Sequence, residues 1–125
     1  MKITLEKSVR AAQIVARLNA VRMKSTATAR KLFGLKKLLE ANYEFYAAEE
    51  QKLIEELGGT VTTDGAIIFQ NQEEGIRKLA EGRKELLATE CDVAIDTPVI
   101  FHDGEGIQVS GEEMGILEGL CDFKE

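Results

Sequence analysis

The sequence has little proline, histidine, cysteine or aromatic content. Among 125 residues there are one proline, one histidine, two cysteines and no tryptophan, and aromatic residues make up 6%. Scarce proline favours long, regular elements. A zinc site normally needs about four His, Cys or carboxylate ligands at fixed spacing, and no such spacing occurs in this sequence. We therefore predict neither a metal site nor a cofactor.

The cysteines and the apolar runs indicate the cellular compartment in which the protein is expected. Cys91 and Cys121 stand apart without CxxC spacing, which favours two reduced thiols, each acting as a small buried hydrophobe. The longest apolar runs span only a few residues, too short for a membrane-spanning helix. The start, Met1 to Glu6, alternates in polarity and lacks the apolar core of a secretory signal. We expect a cytosolic protein without membrane contact.

Charge is divided unevenly along a chain that otherwise has the composition of a folded protein, with 44% hydrophobic and 30% charged residues. Residues 1–37 carry ten Lys or Arg and one acid, a formal charge of +9. Residues 38–125 carry six Lys or Arg and 21 acids, a formal charge of −15. The length suits one domain covering residues 1–125. Each charged region is either a solvated face or a surface that attracts the opposite sign.

Hydrophobic periodicity predicts ten elements in the order β-α-α-β-β-α-β-β-β-α. The Asp64-Gly65 pair between two β-prone runs is a strong hairpin signal. The fold class we predict is α+β, with a long central helix, additional helices and small antiparallel β hairpins. The predicted strands are 2–6, 60–63, 66–69, 93–95, 99–101 and 107–109, and the predicted helices are 8–21, 26–57, 72–89 and 112–120. In the third helix Ile76, Leu79 and Leu86 are predicted to face inward, and Cys121 is placed on the apolar side of the last helix.

The predicted helix over 26–57 is the strongest feature. Ser25 or Thr26 can cap it, and Gly58-Gly59 ends it. At about 1.5 Å per residue it would span roughly 48 Å, longer than a domain of this size is wide. We expect it either to break or to pack in part against another copy. The charge division falls inside it, between Lys37 and Glu40.

Candidate catalytic groups are few. His102 has Asp103, Glu105 and Glu112 nearby in sequence, but the segment 102–106 is typical of a polar turn. A cysteine nucleophile would need His102 as its base. The long helix carries paired glutamates, which are typical of a solvated helix face: Glu49, Glu50, Glu55 and Glu56. We predict no catalytic residues and no enzyme activity.

The basic N-terminal part is the better candidate for a binding site. Its lysines and arginines could neutralise phosphates, but no aromatic residue interleaves them before Phe33. Docking against an acidic protein surface is therefore favoured over nucleic-acid contact. The dispersed acids leave nucleic-acid mimicry as a weaker alternative. The predicted partner-binding residues are Arg22, Lys24, Arg30, Lys31, Lys36 and Lys37.

Three segments, 18–32, 57–87 and 107–120, together resemble a family of small phage and prophage proteins of Gram-positive bacteria. They carry Leu18-Asn19-Ala20-Val21-Arg22 before the long helix, Leu57-Gly58-Gly59 before the hairpin, and Ile107-Gln108-Val109-Ser110-Gly111 before the last helix. The family has no assigned catalytic residues to carry over. Its members usually have a further basic residue within 25–30, where Ala27 and Ala29 stand in this chain.

The resemblance implies a phage accessory protein located in the host cytoplasm. Together with the missing catalytic set, it leads us to expect a non-enzymatic protein that binds a host or phage protein and inhibits a host target such as a CRISPR-type defence nuclease. The alternatives are a virion or tail-assembly component, which the long helix and a homo-oligomer through it would suit, and a nucleic-acid-binding module that uses the basic N-terminal helices.

Overall fold

The computed structural model describes residues 1–102 and 106–124. Its α+β architecture, built around one long helix, confirms the predicted class. The helices are α1 (Leu5–Asn19), α2 (Thr26–Glu56), α3 (Gln72–Leu87) and α4 (Gly111–Ile116). The strands are β1 (Lys2–Thr4), β2 (Thr60–Val61), β3 (Ile67–Ile68), β4 (Glu90–Asp92), β5 (Val99–His102) and β6 (Cys121–Lys124).

Each helix begins at a side-chain cap. The first backbone N–H groups of a helix have no partner within it, and a side-chain oxygen at the N-cap satisfies one of them. Ser25 does so for α2, accepting from the backbone N–H of Thr28 at 3.2 Å. Thr4 and Asn71 do the same for α1 and α3. Ser110 forms a reciprocal capping box with Glu113 at the start of α4.

The main core lies between α1 and the N-terminal half of α2. Apolar residues three and four apart give each helix one buried face, and the two faces pack together. The buried residues of this core are Ile3, Ala11, Ala12, Ile14, Val15, Leu18, Leu32, Leu35, Leu39, Val93, Val99, Phe101, Leu117, Leu120 and Cys121. The N-terminal half of α2 is therefore fixed by its apolar face.

A second, smaller core lies at the other end of α2. Ile54 of α2, Phe69 and Leu79 of α3 are buried there, with Leu53 and Leu57 packed against them. Gly75 and Gly82 allow α3 to approach closely, because a Cβ at either would overlap Phe69 or Leu53. The same unbroken α2 thus joins both cores, so the first of the two expected alternatives, a break in the helix, does not occur.

The strands form three pairs. β1 pairs with β4 and β2 with β3, both antiparallel. Gly65 has φ +87° in the β2–β3 turn, a conformation that glycine adopts freely. β5 pairs with β6 in parallel, and the rings of Phe101 and Phe123 stack with centroids 5.4 Å apart. The expected antiparallel hairpins therefore describe only part of the strand pairing.

Several predicted elements near the C-terminus are wrong. No strand covers the predicted range 93–95, and the strand in this region, β4, lies at 90–92. The apolar side chain of Val93, which suggested a strand, is buried in the core instead. Residues 107–109 form no strand. The helix predicted over 112–120 ends at Ile116, and Gly119 has φ +84°, which does not continue a helix. Cys121 consequently lies in β6 rather than on a helix.

One predicted core residue also lies elsewhere. Ile76 of α3 was expected to face inward with Leu79 and Leu86, but it is 53% exposed. The inward position of this first turn belongs to Gly75, against which the Phe69 ring packs. The spacing of apolar residues alone could not show that position 75, rather than position 76, faces the core.

Candidate docking surface on the long helix

The six predicted partner-binding cations lie in two adjoining segments. Arg22 and Lys24 belong to the connector between α1 and α2, and Arg30, Lys31, Lys36 and Lys37 follow in the first turns of α2. The last four span about 11 Å along the helix axis. We call these six residues and Phe33 the basic surface.

Phe33 lies at the centre of the helical part of this surface. It follows Arg30 by three residues and precedes Lys37 by four, so the three side chains share one helix stripe. Phe33 is 47% exposed, and the Lys37 ammonium lies 4.8 Å from the centre of its ring. Such a cation–π contact contributes about 0.5–1 kcal/mol at an exposed site.

Phe33 was not among the residues selected from the sequence. Its spacing from Arg30 and Lys37 was a usable signal, because side chains three and four apart on a helix are neighbours. An exposed aromatic ring held by a cation is the kind of group that protein interfaces use as an anchor.

The cations differ in how far they are neutralised. Lys36 pairs with Glu40, Nζ to Oε1 at 2.9 Å, one turn further along α2. Arg22, Arg30 and Lys31 form no ion pair with any residue in the described ranges 1–102 and 106–124. Arg30 and Lys31 are exposed in the second turn of α2. Their charge is therefore available to an acidic partner.

The opposite end of α2 is acidic, and one of its glutamates, Glu50, forms contacts that hold the fold together. Glu50 was predicted as a solvated helix residue, but its Oε2 accepts from Arg83 Nε at 2.9 Å and from the Tyr46 hydroxyl at 2.7 Å. Burial of the phenol, followed by its hydrogen bond to Glu50, raises the pKa of Tyr46 to about 12. Glu55 and Glu56 are exposed in the last turn, where their charge opposes the dipole.

The residues weighed for chemistry are not assembled into a site within the described chain. His102 ends β5 with an exposed side chain, while Asp103, Gly104 and Glu105 of the predicted turn lie outside the described residues. Within 1–102 and 106–124 no three His, Cys, Asp or Glu side chains are placed to hold a metal ion.

The two thiols are free, as the sequence predicts. Cys121 is buried, and this burial raises the pKa of its thiol to about 12. Burial also raises the pKa of the half-buried Cys91, although a hydrogen bond with Ser8 acts in the other direction. Both thiols are held in the protonated form, which is the opposite of what a nucleophilic cysteine requires.

Comparisons with protein-family models, curated proteins and solved structures found no match to this chain. Across the described residues, no helix is both long and apolar enough to cross a membrane.

Proposed function

We propose that this chain is a non-enzymatic phage accessory protein that acts by binding another protein, and that the basic surface is its docking site. The observation that carries the proposal is the exposed Phe33 ring, held by Lys37 and accompanied by the exposed Arg30 and Lys31. The resemblance to phage proteins supports action in the host cytoplasm, with a defence nuclease of the CRISPR type as the class of target.

The chemistry of the surface defines the partner. A central aromatic group surrounded by cations fits an acidic surface with an apolar pocket, in which the ring is desolvated and the charges lie at the rim. Rim charges mainly accelerate and orient the encounter, while the buried anchor supplies much of the affinity. We therefore expect Phe33 to govern dissociation and Arg30 and Lys31 to govern association.

A protein partner is favoured over nucleic acid by the rest of the chain. Residues 38–125 carry a formal charge of −15, and the same helix that begins with the basic surface ends with exposed glutamates. A long polyanion would meet this repulsion, whereas a compact acidic protein patch need only cover the basic end.

The test compares two charge-reversed proteins with the wild type. The first carries Arg30→Glu, Lys31→Glu and Lys37→Glu, and the matched control carries Arg77→Glu, Lys78→Glu and Lys84→Glu on α3. Both change the net charge equally. Glutamate is a good helix former, so the first variant should keep its helix content, which circular dichroism checks.

Immobilised proteins are exposed to extract of the bacterial host. We expect one protein to be retained by the wild type and by the α3 control, and to be lost with the reversed basic surface. Equal retention by all three proteins would contradict the proposed docking site. A band shift of nucleic acid at low salt that the reversed basic surface abolishes would favour the nucleic-acid alternative instead.

A further inference from the structure

A second apolar row runs along α2 beside the face that the cores cover, and its Leu38 also packs against the main core. Gly34, Leu38, Ala41, Phe45 and Ala48 follow one another at intervals of four, three, four and three residues, which places them on one stripe of the helix. We call this stripe the outer seam. Phe45 is 53% exposed, Gly34, Ala41 and Ala48 are exposed, and Leu38 is half-buried.

The seam continues into charges of opposite sign at its two ends. The same spacing places Lys31 before Gly34, and Lys52 and Glu55 after Ala48. Lys31 and Glu55 are both exposed. Glu55 lies in the last turn of α2, where its negative charge is unfavourable beside the negative end of the helix dipole. A second helix running the other way brings a positive Lys31 to this end.

We propose that two copies of this chain associate through their outer seams with the α2 helices antiparallel and the two-fold axis beside residue 43. In this register Phe45 packs against Ala41 of the second copy, and Leu38 packs against Ala48 of the second copy. Lys31 lies opposite Glu55 of the second copy, and the symmetry forms this ion pair twice.

The sizes of the seam side chains and the charges at its ends favour a second copy of this chain in the antiparallel direction. Each apolar layer joins one large and one small side chain, as close helix packing requires. A parallel pair would place Phe45 on Phe45, Lys31 on Lys31 and Glu55 on Glu55, which combines crowding with repulsion. The seam is therefore complementary to itself only in the antiparallel direction.

The dimer does not depend on the proposed function. Phe45 and Phe33 are twelve residues apart, which at about 100° per residue places them roughly 120° apart around α2. The seam and the Phe33 stripe thus face different directions, and only Lys31 belongs to both surfaces. A dimer would present two copies of the basic surface, with Lys31 of each copy engaged by Glu55 of the other.

The first test uses this pair of exposed phenylalanines. Sedimentation velocity over a range of protein concentrations should show the wild type passing from monomer to dimer. Phe45→Glu should remain monomeric at every concentration, while the matched control Phe33→Glu should dimerise like the wild type. A wild type that stays monomeric throughout, or an equal effect of both substitutions, would overturn the proposal.

The second test fixes the direction. Lys31→Glu and Glu55→Lys should each weaken the dimer about tenfold, because each turns two attractions into two repulsions. An equimolar mixture of the two variants should recover the wild-type affinity, since the heterodimer again pairs opposite charges. Single variants as tight as the wild type, or a mixture no tighter than its components, would overturn the antiparallel register.

The two proposals fail separately. If Phe45→Glu is monomeric yet still retains the host protein, the seam serves association alone and the docking site stands. If the reversed basic surface of Arg30, Lys31 and Lys37 loses the host protein while the wild type does not dimerise, the docking site stands and the seam proposal is wrong.

Discussion

Arg83 of α3 donates from Nε to Oε2 of Glu50 in α2 at 2.9 Å, and this ion pair joins the acidic end of the long helix to its neighbour. The Tyr46 hydroxyl donates to the same oxygen at 2.7 Å. Glu50 and Arg83 each lie four residues from a buried member of the small core, Ile54 in α2 and Leu79 in α3. Because that core is small, we expect the ion pair to add appreciably to the apolar contacts that hold α3 against α2.

Tyr46 makes the stability of the protein depend on alkaline pH. Its pKa rises from 10.0 to about 12 in the folded chain, so the neutral phenol stabilises the fold fully below about pH 10. Above that value the unfolded chain loses the proton first, and the contribution disappears as the pH passes 12. Tyr46→Phe should therefore destabilise the protein by about 1 kcal/mol at neutral pH and by progressively less at alkaline pH.

Urea denaturation of the wild type and Tyr46→Phe at several pH values measures this difference. Tyr43→Phe is the matched control, since Tyr43 is exposed three residues earlier on the same helix. A Tyr46→Phe effect that stays constant from neutral to strongly alkaline pH would show that the phenol does not titrate as the structure requires.

Gly75 and Gly34 should respond oppositely to alanine. A Cβ at Gly75 would lie 2.6 Å from Cβ of the buried Phe69 and would overlap its ring, so Gly75→Ala should cost about 2–3 kcal/mol. Gly34 has open space around the same position, so Gly34→Ala should stabilise α2 by about 1 kcal/mol. Chemical denaturation of both variants tests the pair, and equal effects would contradict the packing of Phe69 on α3.

The two thiols should differ in reactivity. Cys91 is half-buried and Cys121 is 6% exposed, and burial raises the pKa of both thiols. We expect a thiol reagent near neutral pH to modify Cys91 slowly and Cys121 only after unfolding. Mass spectrometry of the native and denatured protein assigns each site. Rapid modification of Cys121 in the native protein would contradict the structure of β6.

Glu44 should oppose the proposed dimer. It precedes Phe45 on α2 and lies near the two-fold axis, so the two copies bring their Glu44 carboxylates close together. Glu44→Gln should tighten the dimer several-fold, and more so at low salt, because like charges repel less when screened. Sedimentation at two salt concentrations measures the change. An unchanged or weaker dimer would place the axis elsewhere.

The local signals in the sequence located the helices well. Ser25 caps α2, Gly58 follows its end, and Asp64-Gly65 forms the turn between β2 and β3, because each of these depends on neighbours within a few residues. The parallel pairing of β5 with β6 was missed, since strands separated by α4 leave no turn signature. Val93 was mistaken for a strand residue because burial and strand pairing leave the same apolar signal.

The candidate site was partly accessible to sequence reasoning. Charge counting selected Arg30, Lys31 and Lys37 as candidates, because uncompensated charge is visible in composition. Charge counting did not select Phe33 and Phe45. Apolar residues occur on more than one face of α2, and the sequence does not show which of these faces the cores cover. Leu32 and Phe33 are adjacent, yet the first is fully buried and the second 47% exposed.

Lysine footprinting of the complex with the captured host protein tests the docking site most directly. The protein is acetylated alone and in the complex, and each lysine is quantified by mass spectrometry. We expect strong protection of Lys31, Lys36 and Lys37, with Lys78 and Lys84 on α3 modified equally in both states. Unchanged modification of the three α2 lysines, or protection centred on α3, would contradict the basic surface as the site of binding.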